Sequence, residues 1–138
     1  MPTYSNPLHF GLVSGIDLYP SLGCLKNARG DAVAFYDWLT DPDGGSVPPG
    51  NCEKVFADAA MTDKTAREKA VPYSEQLHLA ISAIERKGKE AVAGKAALWP
   101  QTRLYYYVSG HGLADGTRDA ALLMANAGRP EWMGYHVS

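Results

Sequence analysis

Short apolar runs alternate along the chain with polar stretches rich in glycine and proline. Residues 8–15, Leu-His-Phe-Gly-Leu-Val-Ser-Gly, form a first run that ends at a glycine and predicts a strand. After the loop that follows, Ala28, Ala32, Phe35 and Leu39 recur at helical spacing and predict a helix over 27–40 with one apolar stripe. Asp41-Pro42-Asp43-Gly44-Gly45 ends it, because proline cannot continue a helix. Cys52 to Phe56 is a second strand, weakened by Glu53 and Lys54. Residues 57–72 are polar and alanine-rich and remain unassigned beyond a single helical turn. Ser74 reads as an N-cap for a longer helix with Leu77, Ala80, Ile81 and Ile84 on one face, weakened at its far end by Lys87, Gly88, Lys89 and Gly94. Arg103 to Val108 is the clearest strand, aromatic and suited to a buried pleated surface. A polar loop over 113–119 then leads to a last apolar run, Ala120–Met124, and the tail from Gly128 has no clear period.

The predicted order is strand, helix, strand, helix, strand and a further strand. Such alternation implies right-handed crossovers and a parallel sheet covered by helices, within one domain spanning 1–138. Ligands of such sheets sit at the carboxyl ends of the strands, where loops 14–27 and 109–119 are expected to meet.

Composition narrows the function classes. The chain has 138 residues with 46% hydrophobic and 20% charged, a globular profile. Thirteen Lys and Arg against fifteen Asp and Glu leave a net charge of −2, which disfavours a strong phosphate-backbone binder, so no nucleic-acid partner is expected. No apolar run approaches a bilayer span, and the start, Met1-Pro2-Thr3-Tyr4-Ser5, lacks the pattern of a secretory signal. These features predict a cytoplasmic protein with no membrane partner. Cys24 and Cys52 are then expected as free thiols, buried or incidental, with Cys52 at the sheet end opposite the chemistry. The four histidines are scattered and no CxxC occurs, so no metal site is expected. Tyr105 and Tyr107 share one strand face and predict core packing. Phe35, Trp99 and Trp132 read as core or interface anchors, and Arg86, Lys87 and Lys89 as a solvated helix end.

The chemistry-bearing motif is Ser109-Gly110-His111-Gly112, at the end of the tyrosine strand. Two glycines around a histidine predict a sharp backbone turn that holds the imidazole at the functional edge. Histidine is suited to proton transfer near neutral pH, and a following glycine leaves an unobstructed N–H for an oxyanion. The competing reading, a turn in which His111 merely bonds a neighbouring carbonyl, has equal weight on these residues alone.

Leu104-Tyr-Tyr-Tyr-Val-Ser-Gly-His-Gly112 resembles the histidine motif of caspase-like cysteine peptidases, the clan of caspases, metacaspases and their bacterial relatives. Gly11-Leu-Val-Ser-Gly-Ile-Asp-Leu-Tyr-Pro20 resembles the family's first strand and loop, and Leu25-Lys-Asn-Ala-Arg-Gly-Asp-Ala32 the opening of its first helix, with Gly30 where asparagine is common. The resemblance covers about residues 8–125 in order. It implies a parallel-sheet, three-layer α/β/α sandwich of caspase type, incomplete in this chain. It implies that His111 is the histidine of a Cys–His dyad and that Gly112 supplies an oxyanion N–H. Asp31 and Ser109 match positions that shape the specificity pocket, and no arginine stands at Cys24-Leu25-Lys26, so cleavage after Arg or Lys is expected. Arg29 is expected on a solvated face. The resemblance implies a protein substrate and no required cofactor, and it leaves calcium dependence open. In caspases the cysteine follows the histidine by roughly 50 residues. Here 27 residues follow His111 and none is cysteine, so the nucleophile is expected on a second polypeptide or on residues outside this chain. Two alternatives stand beside this reading. One is a non-catalytic caspase-like module that regulates or binds a partner. The other is a small α/β binding domain without peptidase ancestry.

Overall fold

The computed structural model describes residues 1–57, 74–115, 119–127 and 136–137. Its centre is a parallel sheet of three strands, β1 (His9–Gly15), β2 (Cys52–Phe56) and β3 (Arg103–Ser109), in the order β2-β1-β3. β1 lies in the middle because its residues alternate between two cores. Leu12 packs with Leu77 and Ala80, whereas Val13 packs with Ala32, Leu39 and Val47. The first set belongs to α2 (Ser74–Val92) and the second reaches α1 (Ala28–Thr40), so the sheet carries one helix on each face. The architecture is mixed α/β, as the alternation of patterns predicts. Each fully buried Leu or Val at these positions contributes about 1.5–3 kcal/mol from removal of apolar surface from water.

α1 follows its predicted stripe, with Ala28, Ala32 and Leu39 buried, and stops where Asp41 turns extended ahead of Pro42. It approaches β1 closely at Gly15, where a Cβ would lie 2.6 Å from the Ala32 Cβ and 2.8 Å from the Ala28 carbonyl oxygen. α2 buries Leu77, Ala80, Ile84, Gly88 and Val92 in i, i+3 and i, i+4 steps, so it runs through the glycine and lysines of its far end. Ile81 is exposed although its spacing from Leu77 places it on the same side of the helix.

Several expectations are corrected. The stretch after His111 begins as a strand, not a loop. β4 (Gly112–Asp115) pairs antiparallel with β5 (Asp119–Leu123), which also pairs antiparallel with β6 (His136–Val137) in the tail. The last apolar run thus joins a second, antiparallel sheet, because a tight hairpin suffices for antiparallel pairing while a parallel partner needs a long crossover. β3 is an edge strand. Tyr105 and Tyr107 pack against the Val13 core, but Leu104, Tyr106 and Val108 on its other face are 54%, 49% and 43% exposed. α2 covers β1 and β2 on that side, and no described element covers β3 there. Arg29 is half-buried, its guanidinium 5.9 Å from the centre of the Phe56 ring, because α1 places it over the end of β2. Trp99 is exposed in a 3-10 turn over 96–101, whereas Phe35 stacks on Tyr107 with ring centres 4.6 Å apart. Arg86 and Lys89 form exposed ion pairs with Glu90 and Glu85, but Lys87 reaches across to Glu53 of β2 at 2.6 Å. Expectations for residues 58–72 and for Trp132 lie outside the described residues.

Candidate functional site

The loops after β1 and β3 meet at the carboxyl end of the sheet. β1 and β3 are in register to their last residues, Gly15 opposite Ser109, and the Ile16 N–H then donates to the Ser109 carbonyl at 2.9 Å. This extends the pairing one residue past the strands and brings loop 16–27 over the Ser109–Gly112 turn.

The loop fixes the His111 ring. Its Nε2 lies 2.5 Å from the Gly23 carbonyl oxygen. A carbonyl only accepts, so Nε2 carries the proton and a neutral ring keeps its lone pair on Nδ1. The Tyr19 ring stands edge-on to the imidazole, 4.7 Å between centres at 64°. The main chain of His111 is held as well. Its N–H donates to the Tyr19 hydroxyl at 2.9 Å, and its carbonyl accepts the Leu123 N–H at 2.8 Å.

Gly112 pairs with Leu122 across the hairpin. Because the Leu123 N–H reaches the His111 carbonyl, the 111/123 rung is the bonded one and 112/122 the non-bonded one. The Gly112 N–H therefore points away from β5 and is not spent on the hairpin ladder. Beside it lies a groove of about 350 Å3, lined by Tyr106, Val108, His111, Gly112, Ala121 and Leu122 among others. An oriented imidazole with its lone pair on Nδ1, a main-chain N–H outside the hairpin ladder and an adjoining groove are the parts that general acid–base chemistry and oxyanion binding require.

The two glycines work differently from the expected sharp turn. Among the described residues, Gly94 is the glycine with positive φ, so neither Gly110 nor Gly112 needs left-handed backbone. What Gly110 needs is space, since a Cβ there would lie 2.5 Å from the Tyr19 hydroxyl.

The other predicted positions fall as follows. Ser109, half-buried, ends β3 beside His111 and Gly112. Asp31 is exposed in the first turn of α1 and does not line the groove, so in this chain it is not a desolvated carboxylate. Cys24 is a free thiol, exposed next to Gly23, with its sulfur 3.8 Å from the Tyr19 carbonyl. Cys52 opposes Gly11 near the amino end of β1, away from His111. Burial pushes its thiol up from the ordinary value, with the Lys87 and Lys54 charges and a main-chain hydrogen bond from Gly11 opposing, so at neutral pH it is a poor nucleophile. Among the described residues no cluster of three His, Cys, Asp or Glu side chains is placed to hold a metal ion, and no helix is long and apolar enough to cross a membrane.

Sequence reasoning did not assign roles to Tyr19, Gly23 or Leu123. Tyr19 stood in view within Gly15-Ile-Asp-Leu-Tyr19, and its place in that pattern was the available signal. Gly23 and Leu123 act through main-chain groups, which any residue type supplies.

The chain is similar to a protein of a Desulfuromonadales bacterium named a "probable protease", with 33% identity over 107 residues, covering 76% of this chain and 12% of that protein. It therefore spans a small part of the relative's length. No family model and no solved structure matches the chain.

Proposed function

We propose that the chain is part of a peptidase, a reading supported by its similarity to a protein named a protease. More specifically, it is the histidine-bearing portion of a caspase-like cysteine endopeptidase. A cysteine from outside residues 1–138, on a second polypeptide or another part of the same one, gives its thiol proton to Nδ1 of His111. The thiolate attacks the scissile carbonyl, and the Gly112 N–H holds the oxyanion. His111 protonates the leaving amine, and water, deprotonated by the same ring, releases the acid and restores the thiol. The observation that supports this is the groove lined by His111 and Gly112; the Nε2–H to Gly23 carbonyl bond, which a structural turn would also make, leaves Nδ1 as the base at the end of a parallel strand. Preference for Arg or Lys before the cleaved bond, with Asp31 and Ser109 at the pocket, rests on the resemblance alone, since Asp31 is exposed and does not line the groove beside His111.

A non-catalytic partner-binding module is the second reading, favoured by the exposed apolar face of β3. One experiment separates the two. Full-length protein is assayed on fluorogenic peptides differing only at the residue before the bond. Cleavage after Arg or Lys is expected, and His111→Ala should reduce it more than roughly 100-fold with an unchanged melting curve. Retained activity in His111→Ala overturns the dyad. A preference for Asp, or indifference to charge, overturns the basic pocket. Absence of cleavage of any peptide favours the binding module.

A further inference from the structure

Antiparallel strands exchange two main-chain hydrogen bonds at each bonded rung. The rung between His111 and Leu123 exchanges one directly, Leu123 N–H to His111 carbonyl at 2.8 Å. In place of the second, the Tyr19 hydroxyl accepts the His111 N–H at 2.9 Å and donates to the Leu123 carbonyl at 2.9 Å. A side chain from the loop after β1 has thus been inserted into the ladder of the hairpin after β3. Three hydrogen bonds close a ring through Tyr19, His111 and Leu123.

We infer that Tyr19 is the positioning residue of the His111 site: its bridging hydroxyl holds the first rung of the hairpin open and so sets the backbone from which the imidazole and the Gly112 N–H are presented. The inference deepens the peptidase reading and rests on it for its kinetic arm alone.

Three features support the assignment. Tyr19 is fully buried, so its hydroxyl has no water with which to share these bonds. Its ring also abuts the imidazole, so one side chain constrains both the main chain and the ring of His111. Gly110 leaves the gap that the hydroxyl occupies, which gives the residue before the histidine a reason to lack a side chain. Burial, opposed by the hydrogen bond to His111 and aided by the Asp17 charge, pushes the phenol up to about 12, so it keeps the proton it donates at physiological pH. The bridge has a chemical consequence. It consumes the His111 N–H, so Gly112 is left as the oxyanion donor of this turn. Phenylalanine preserves the packing and removes the bridge. The His111 N–H and the Leu123 carbonyl then lose their common partner and, held apart by the ring that remains, stay unpaired, which frees the His111 main chain.

The test uses uniformly 15N-labelled full-length protein and compares the parent with Tyr19→Phe. The His111 ring should be held as the Nε2–H tautomer in the parent and become a mixture in the variant. The His111 amide should exchange about tenfold faster or more, the scale of one lost buried bond. The amides of Leu12 and Val13 should exchange as in the parent. Gly110→Ala, whose methyl displaces the same hydroxyl from the other side, should reproduce both changes. If the protein cleaves peptides, kcat should fall about tenfold at unchanged KM, with a shift in the pH limb set by His111. Parent-like tautomer and exchange in both variants overturns the inference. So does faster exchange at Leu12 and Val13 together with His111 in both, which marks a general packing role. Failure to cleave any peptide tells against the peptidase reading and leaves the tautomer and exchange results to decide this one.

Discussion

At Tyr19, burial makes the stability of the fold sensitive to alkali. The phenol ionises at about 12 in the folded chain against 10.0 ordinarily. The unfolded state therefore loses this proton first as pH rises. The stabilisation is complete below pH 10 and disappears progressively between 10 and 12. Two pH units correspond to on the order of 2–3 kcal/mol. Denaturant unfolding at pH 8, 10, 11 and 12 should show the parent losing this much more stability than Tyr19→Phe, which has no phenol to ionise. Parallel curves would remove Tyr19 as the cause. His111 and Gly112 were legible as a motif because their chemistry lies in their residue types. The function of Tyr19 was not, because both partners of its hydroxyl are main-chain groups far along the chain, at His111 and Leu123.

Among the elements, α1 and β1 are joined by the absence of one side chain. At Gly15 a Cβ would meet the Ala32 Cβ at 2.6 Å and α1 main chain at 2.8 Å, and neither backbone carbonyl nor Cα can rotate away. Gly15→Ala should therefore destabilise the protein by about 1–3 kcal/mol, the usual scale of overpacking, read as a lower denaturation midpoint. Because loop 16–27 joins these two elements, the variant should also disturb the ring of His111. A neutral substitution would show that the helix shifts freely. β1, β3 and both helices were legible from their apolar patterns and the Gly or Pro that closes each, whereas β2, interrupted by Glu53 and Lys54 and followed by neither, was the weaker reading. The β4–β5 hairpin was not legible. Its first strand, Gly112–Asp115, is four residues of mixed polarity, and pairing with β5, not local preference, makes it a strand. The burial of β3 was overestimated for a related reason. Its apolar composition suits a central strand, but position in a sheet is a property of topology.

Across the whole molecule the cores are unevenly covered. Among the described residues, β3 has no partner along its outer edge and presents an apolar face at Leu104, Tyr106 and Val108, the features by which sheets recruit another strand. Residues 1–138 made alone should therefore self-associate as concentration rises. Tyr106→Lys should suppress this, and sedimentation at several concentrations would check both. A parent chain that stays monomeric would show the edge to be inert. The bridge formed by Tyr19 bears on a different matter, the order of events in folding. Its hydroxyl joins residues 104 positions apart, Tyr19 and Leu123. β1, α1 and β2 need only nearby sequence to meet, whereas the histidine turn cannot be locked until nearly the whole stretch has been made and folded back. A growing or prematurely ended chain would hold its imidazole unanchored. Reactive geometry would then come late, together with the part of the α2-side core that Leu123, Met124, Ala125 and Ala127 complete.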